Sequence, residues 1–285
     1  MKQSRAASFV VVAISYLVAL AVGLILFERV SGALWMRVLV ADVGATVVIY
    51  LLSLIVQNAS LYDPYWSVQP MVILVALAIG WRAGSWDVIL LLAGVCLWGI
   101  RLTANWAYTF HGLDKQDWRY DMLAQKTGKL FFLVDFLGIQ MFPTLVVYTC
   151  ILPGIRMIET GGSQNGWCII GALVCLVATA LQLVADVQMQ KFRKGQKNRG
   201  ELISIGLWKY ARHPNYLGEI LMWWGVYLMM VVSHPESWYL GAGALLNTLM
   251  FLCISIPMAE KRLAQYKPEF AAYQKRTRML LPIKK

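Results

Sequence analysis

Long apolar runs separated by short polar stretches dominate the 285-residue chain. A run of roughly 20 apolar residues crosses a hydrocarbon core. Eight runs approach that length, at residues 9–27, 38–56, 68–79, 88–102, 130–152, 167–185, 216–232 and 238–257. All are expected to be helical, because inside a bilayer each backbone amide must find its partner within its own segment. The first run follows Lys2 and Arg5 as in a signal peptide, but no small-residue cleavage site precedes Glu28-Arg29, so it is read as a span. The expected fold class is an all-α polytopic membrane helix bundle of about eight spans.

Charge then orients the bundle. With the C-terminus in the cytosol, 22 of the 26 Lys and Arg residues fall on cytosolic segments, and Arg29, Arg37, Arg82 and Arg156 fall outside. The positive-inside rule therefore predicts both termini cytosolic. Composition agrees: hydrophobic residues make up 59%, charged residues 14%, and the mean hydropathy is +0.59, which excludes a soluble enzyme, a disordered chain and a disulfide scaffold. Orientation accounts first for the formal charge of +11, so membrane lipid is expected as a partner and nucleic acid is not. Cys96, Cys150, Cys168, Cys175 and Cys253 all lie in apolar runs without Cys-x-x-Cys spacing, and read as small packing residues rather than metal ligands or a disulfide.

Ionisable side chains beside spans are costly and pose functional questions. Asp63, Arg101, Asp135, Asp186, Arg212, His213 and Glu219 share one depth on this topology, near the cytosolic span ends. Between Asp186 and Glu219 runs Lys191-Phe192-Arg193-Lys194-Gly195-Gln196-Lys197-Asn198-Arg199, a basic strap suited to an anion, although by itself a solvated loop facing anionic lipid explains it more simply. Then comes Gly206-Leu207-Trp208-Lys209-Tyr210-Ala211-Arg212-His213-Pro214-Asn215-Tyr216-Leu217-Gly218-Glu219. Pro214 suits a first helical turn, whose free N–H groups can receive a phosphate or carboxylate. His111 and His234 stand isolated in loops and receive no role.

A second constellation is Asn58-Ala59-Ser60-Leu61-Tyr62-Asp63-Pro64-Tyr65-Trp66-Ser67-Val68-Gln69-Pro70. Interfacial anchoring accounts for Tyr65 and Trp66, but not for Asp63. A carboxyl facing an apolar bundle is desolvated, which raises its pKa and lets it stay protonated and donate to a substrate oxygen. A third cluster, Trp98, Arg101, Asn105-Trp106 and Asp117-Trp118-Arg119-Tyr120, is equally well explained by snorkelling and anchoring. Past the last span, Leu263, Tyr266, Phe270 and Tyr273 recur at helical spacing, an amphipathic tail that either floats on the membrane or folds back over the strap. Gly241-Ala242-Gly243 lies in an apolar run without the strand that a dinucleotide fingerprint requires, and no P-loop is present.

The run from Gly206 to Glu219, with the basic strap before it, resembles the C-terminal domain of the steroid 5-alpha-reductases (3-oxo-5-alpha-steroid 4-dehydrogenases) and sterol reductases. The Asn-x-Ser-x-x-Asp-x-x-Trp-Ser-x-x-Pro pattern from Asn58 to Pro70 is similar to that of a bacterial branch of the superfamily. The likeness implies a seven-span reductase core plus an extra N-terminal span, and divides the chain into N-terminal spans at 1–57 and a reductase-like membrane catalytic domain at 58–285. It implies a multi-pass bacterial inner-membrane enzyme that takes NADPH from the cytosol and reduces the activated C=C bond of a lipophilic enone, such as a 3-oxo-4-ene steroid-like lipid.

The resemblance also implies site residues. Asp186, Arg193, Asn215 and Glu219 would hold the cofactor, with Trp208, Tyr210, Arg212, His213 and Tyr216 beside them and Gln182, Arg119, Arg262 and Tyr266 as further contacts. Arg193, Lys194 and Lys197 suit the adenosine 2′-phosphate. Asp63, seven positions before Pro70, stands where the steroid reductases place the Glu that polarises the substrate ketone. Their assisting tyrosine falls on Trp98, so the second acid is expected among Tyr62, Tyr65 and Tyr120. Isoprenylcysteine methyltransferases share a similar Arg-His-Pro-x-Tyr-x-Gly stretch, making an S-adenosylmethionine-dependent membrane methyltransferase the alternative. The density of cations, Asp63, and Asp186 with Arg193 favour the reductase.

Overall fold

The computed structural model describes residues 4–163, 165–196, 198 and 200–281. Lys197, assigned above to a phosphate, lies outside them. Helix α1 (Arg5–Arg29) starts on Ser4, whose Oγ accepts from Ala7 N at 3.1 Å, and pairs with α2 (Leu34–Val56). A 3-10 turn (Ala59–Tyr62) leads into α3 (Tyr65–Gly80), followed by α4 (Trp86–Thr109). Asp117 caps α5 (Trp118–Thr127), which continues through α6 (Phe131–Val134) and a π-helical stretch (Asp135–Met141) into α7 (Phe142–Glu159). Then come α8 (Cys168–Gly195), α9 (Pro214–Val231), α10 (Ala242–Met250), α11 (Ile256–Tyr266) and α12 (Phe270–Arg276).

Each apolar run of the sequence coincides with helix. Among the described residues, six helical segments are long and apolar enough to cross a membrane: α1, α2, α4, Trp118–Glu159, α8 and Pro235–Tyr266. The protein is thus an all-α, integral, multi-pass membrane protein. The other two predicted spans, α3 and α9, fall short for different reasons. The 16 residues of α3 rise about 24 Å, less than a core of roughly 30 Å. In α9, Asn215 and Glu219 lower the hydropathy of its 18 residues.

The main core gathers α3, α4, α7, α8 and α9 around Leu74, Leu91, Trp98, Ile151, Met222 and Trp223. Small residues let α8 and α9 approach at backbone distance: a Cβ on Gly171 would lie 2.6 Å from the Gly225 carbonyl oxygen. Cys175 packs at the same crossing, where a Cβ on Gly225 would meet its Sγ at 2.6 Å.

One expectation is corrected, and one open alternative is decided. The basic segment is not a strap over most of its length, because α8 stays helical to Gly195 and carries Lys191, Arg193 and Lys194 on its last turns. Met189 and Phe192 pack on Ile203 and Trp208 and hold those turns down, and cations at a helix C-terminus are electrostatically favoured. The tail does not float: Arg212 N donates to Arg278 O at 2.9 Å and His213 N to Met279 O at 3.1 Å. Tyr273 Oη donates to Trp208 O, so α11 and α12 fold back onto residues 206–213.

Candidate functional site

The Asn58–Asp63 turn is bracketed to the loop after α4. Asn58 Oδ1 accepts from Ser60 N at 2.8 Å, and its Nδ2 donates to Leu113 O at 2.7 Å and Lys115 O at 3.1 Å. Asp117 N donates to Ser60 Oγ at 2.9 Å, and Ala59 N donates to Gln116 Oε1 at 2.8 Å. Asn58 and Ser60 thereby decide where α5 begins. Tyr120, in its first turn, donates from Oη to Asp63 Oδ1 at 2.7 Å. Of the three candidate tyrosines, Tyr120 is the one whose hydroxyl meets Asp63. Tyr62 Oη instead pairs with Thr144 Oγ1 at 2.9 Å, and Tyr65 Oη lies 3.5 Å from Asp42 Oδ1. Desolvation pushes the Asp63 carboxyl up from 3.8 to about 6, against the lowering hydrogen bond from Tyr120; Asp117 raises it further, while Arg119 and Ser60 lower it. Arg119 is held by Asp117 at 2.8 Å.

A buried polar chain joins α4, α8 and α9. Arg101 Nη1 pairs with Asp186 Oδ2 at 2.8 Å, and Nη2 donates to Gln182 Oε1. Gln182 Nε2 donates to Glu219 Oε2 at 3.2 Å. Trp98 Nε1 donates to Glu219 Oε2 at 2.8 Å and Trp223 Nε1 to Glu219 Oε1 at 3.1 Å. Gln182 and Glu219, assigned to a cofactor by resemblance, are 1% and 4% exposed and bonded within the bundle. Trp98, at the position of the assisting tyrosine, serves Glu219 rather than Asp63.

A cavity of about 490 Å³ opens between the end of α8 and the folded-back tail. Arg193, Arg212, Arg262 and Lys267 border it, Trp208 and Tyr266 contribute aromatic walls, and among the described residues no carboxylate is in the lining. Behind the lining, Glu260 Oε1 pairs with Arg212 Nε at 2.7 Å and His213 Nε2 at 3.0 Å, and Gln274 Nε2 donates to Glu260 Oε2 at 2.7 Å. Arg212 and His213 thus fasten the tail. The Arg262 guanidinium lies 3.8 Å from the centre of the Trp118 ring, so the cavity wall touches the start of α5. Tyr216 stacks on His213 at 5.2 Å and feels the charges of Arg119, Asp117 and Asp186.

Five residues assigned by resemblance therefore meet at one cavity: Arg193, Trp208, Arg212, Arg262 and Tyr266. Others do not line it. Lys194 lies over Tyr108 at 5.2 Å, Tyr210 is exposed, and Asn215 stands in the first turn of α9. Sequence reasoning missed Glu260 and Lys267, whose partners come from distant segments, and Asp42 on α2. For Asp42 the signal was present: it is a carboxyl inside an otherwise apolar run.

Residues 49–277 match a family described as "Protein of unknown function (DUF1295)". The chain belongs to this family, which lies in the steroid 5-alpha-reductase-like group of membrane proteins. It is also similar to an uncharacterized protein of Schizosaccharomyces pombe, with 23% identity over 252 residues, covering 79% of this chain and 73% of that protein. No solved structure matches the chain.

Proposed function

We propose that this DUF1295 member is an NADPH-dependent membrane reductase acting on the activated C=C bond of a lipophilic enone. One observation supports this above the others: Arg262 borders the cation-lined cavity and also lies over Trp118, two residues before the Tyr120 that donates to Asp63. A seat for a polyanion and a carboxyl with a raised pKa therefore adjoin at one end of the bundle.

The donor set fits a phosphorylated dinucleotide. Ligand sites commonly measure about 300–1,000 Å³, and the cavity of about 490 Å³ suits part of such a molecule. Arg193 and Arg262 would hold phosphates, and Trp208 and Tyr266 would flank a base. NADPH, when bound, supplies a hydride.

Reduction of an enone builds negative charge on the carbonyl oxygen, and a positioned donor there lowers the barrier. Tyr120 occupies Asp63 Oδ1, which leaves Oδ2 to carry the carboxyl proton toward that oxygen. The resulting enol gives the saturated ketone when a proton reaches the neighbouring carbon and the oxygen gives up its own. Asp63 is partly exposed, so water can restore its proton.

The direct experiment is to purify the protein in mild detergent, denature it and identify the released nucleotide by mass spectrometry. NADP(H) supports the proposal, and S-adenosyl compounds in its place overturn it. Asp63→Asn should then abolish enone reduction, a loss on the order of 10²-fold or more, while nucleotide binding persists.

A further inference from the structure

A second cavity, of about 770 Å³, lies between α1, α2 and α3 and shares no lining residue with the cation-lined one. Its walls are mostly apolar, with Leu17, Leu20 and Val72 among them, and Tyr16 and Tyr65 also line it. Glu28 and Arg37 line it too, but the Arg37 guanidinium is held by Phe27, donating to its carbonyl at 2.9 Å and lying 4.1 Å from its ring centre.

Two further polar residues, Asp42 and Gln69, interrupt the apolar wall. Asp42, midway along α2, is 3% exposed, and no cation pairs with it among the described residues. Gln69 Nε2 donates to Asp42 Oδ2 at 2.5 Å. That bond uses one end of the Gln69 amide. The other end, Oε1, is buried and has no hydrogen-bond partner among the described residues, on a side chain that is 5% exposed. Asp42 Oδ1 has only a long contact, 3.5 Å from Tyr65 Oη.

An unmet buried acceptor is unfavourable, and most are satisfied in native proteins. Here two under-satisfied acceptors belong to one apolar cavity at membrane depth. The complement is an apolar body carrying an O–H donor. A ketone or ether offers only acceptors and leaves Gln69 Oε1 unmet, while an ammonium group would have to bring its charge out of water.

We infer that this cavity binds a lipid alcohol, with the hydroxyl donating to the Asp42–Gln69 pair and the apolar body lying among α1, α2 and α3. The site is independent of the reductase reading, because it uses neither Asp63 nor any residue of the cation-lined cavity.

The test is photolabelling of the full-length protein in detergent with diazirine-bearing cetyl alcohol, its methyl ether and the matching alkylamine, followed by peptide mapping. The alcohol should label peptides of α1, α2 and α3, and the ether, lacking only the donor, should label about tenfold less. Ala76, an exposed residue of the lining, permits a filling variant: Ala76→Phe should remove labelling without lowering the melting temperature. Equal labelling by alcohol and ether, preference for the amine, or labelling unchanged in a folded Ala76→Phe protein would each overturn the inference. The alcohol and ether comparison needs no variant, and the released-nucleotide experiment reads the reductase proposal separately.

Discussion

Tyr120 Oη donates to Asp63 Oδ1 at 2.7 Å, joining residues 57 apart in sequence. The bond exists because Asn58 and Ser60 tie the turn before Asp63 to the loop that starts α5. Two motif residues thus set the distance between the Asp63 carboxyl and the Tyr120 hydroxyl.

Asp63 gives a pH dependence with a definite sign. Its folded-state pKa of about 6 lies above the ordinary 3.8, so the fold favours the protonated form. Its contribution to stability is present below the ordinary value and lost as pH rises through about 6. Activity that needs the acid form should follow, with kcat/KM falling about tenfold per pH unit above that point. Tyr120→Phe removes a hydrogen bond that lowers the Asp63 pKa, so the falling limb should move to higher pH. A pH–rate profile in which that limb stays in place would detach Tyr120 from the acid.

Arg193→Ala should weaken NADPH binding by about tenfold or more and NADH binding much less, since removing a charged partner of a phosphate costs about 1.5–3 kcal/mol. Calorimetric titration with both nucleotides decides it. Equal losses would separate Arg193 from the 2′-phosphate.

Glu219→Gln should destabilise the bundle by about 1–3 kcal/mol. The carboxylate accepts from Trp98, Trp223 and Gln182, whereas an amide must turn a donor toward at least one of them. The readout is thermal unfolding together with nucleotide affinity. Lost affinity with unchanged stability would instead place Glu219 on the cofactor.

Glu260→Ala should loosen the folded-back tail by about 2 kcal/mol, because Arg212 and His213 both lose their shared partner. Limited proteolysis should then cut faster between α11 and α12. Cleavage at the wild-type rate would show that the backbone bonds from Arg212 and His213 to Arg278 and Met279 suffice.

Much of the architecture was legible along the chain. Apolar runs marked every long helix, and the Asn58–Pro70 pattern marked the turn that holds Asp63. The basic segment misled because charge density suggests a loop, while Met189 and Phe192 supply the apolar stripe that keeps it helical. Gln182 and Glu219 could be placed at a span end, but not inside a hydrogen-bonded chain. Their partners Arg101 and Trp98 lie on α4, 81 residues from Gln182 and 121 from Glu219.

The sequence by itself determined the class of solvent and the helices, since these depend on sums over neighbouring residues. Tertiary structure alone decided which polar groups meet. Tyr120 rather than Tyr62 reaches Asp63, Glu260 fastens Arg212 and His213, and Asp42 shares a lipid-depth cavity with Gln69. Hydrogen bonds are short and directional, so their partners are fixed by the packing of distant helices and not by spacing along the chain.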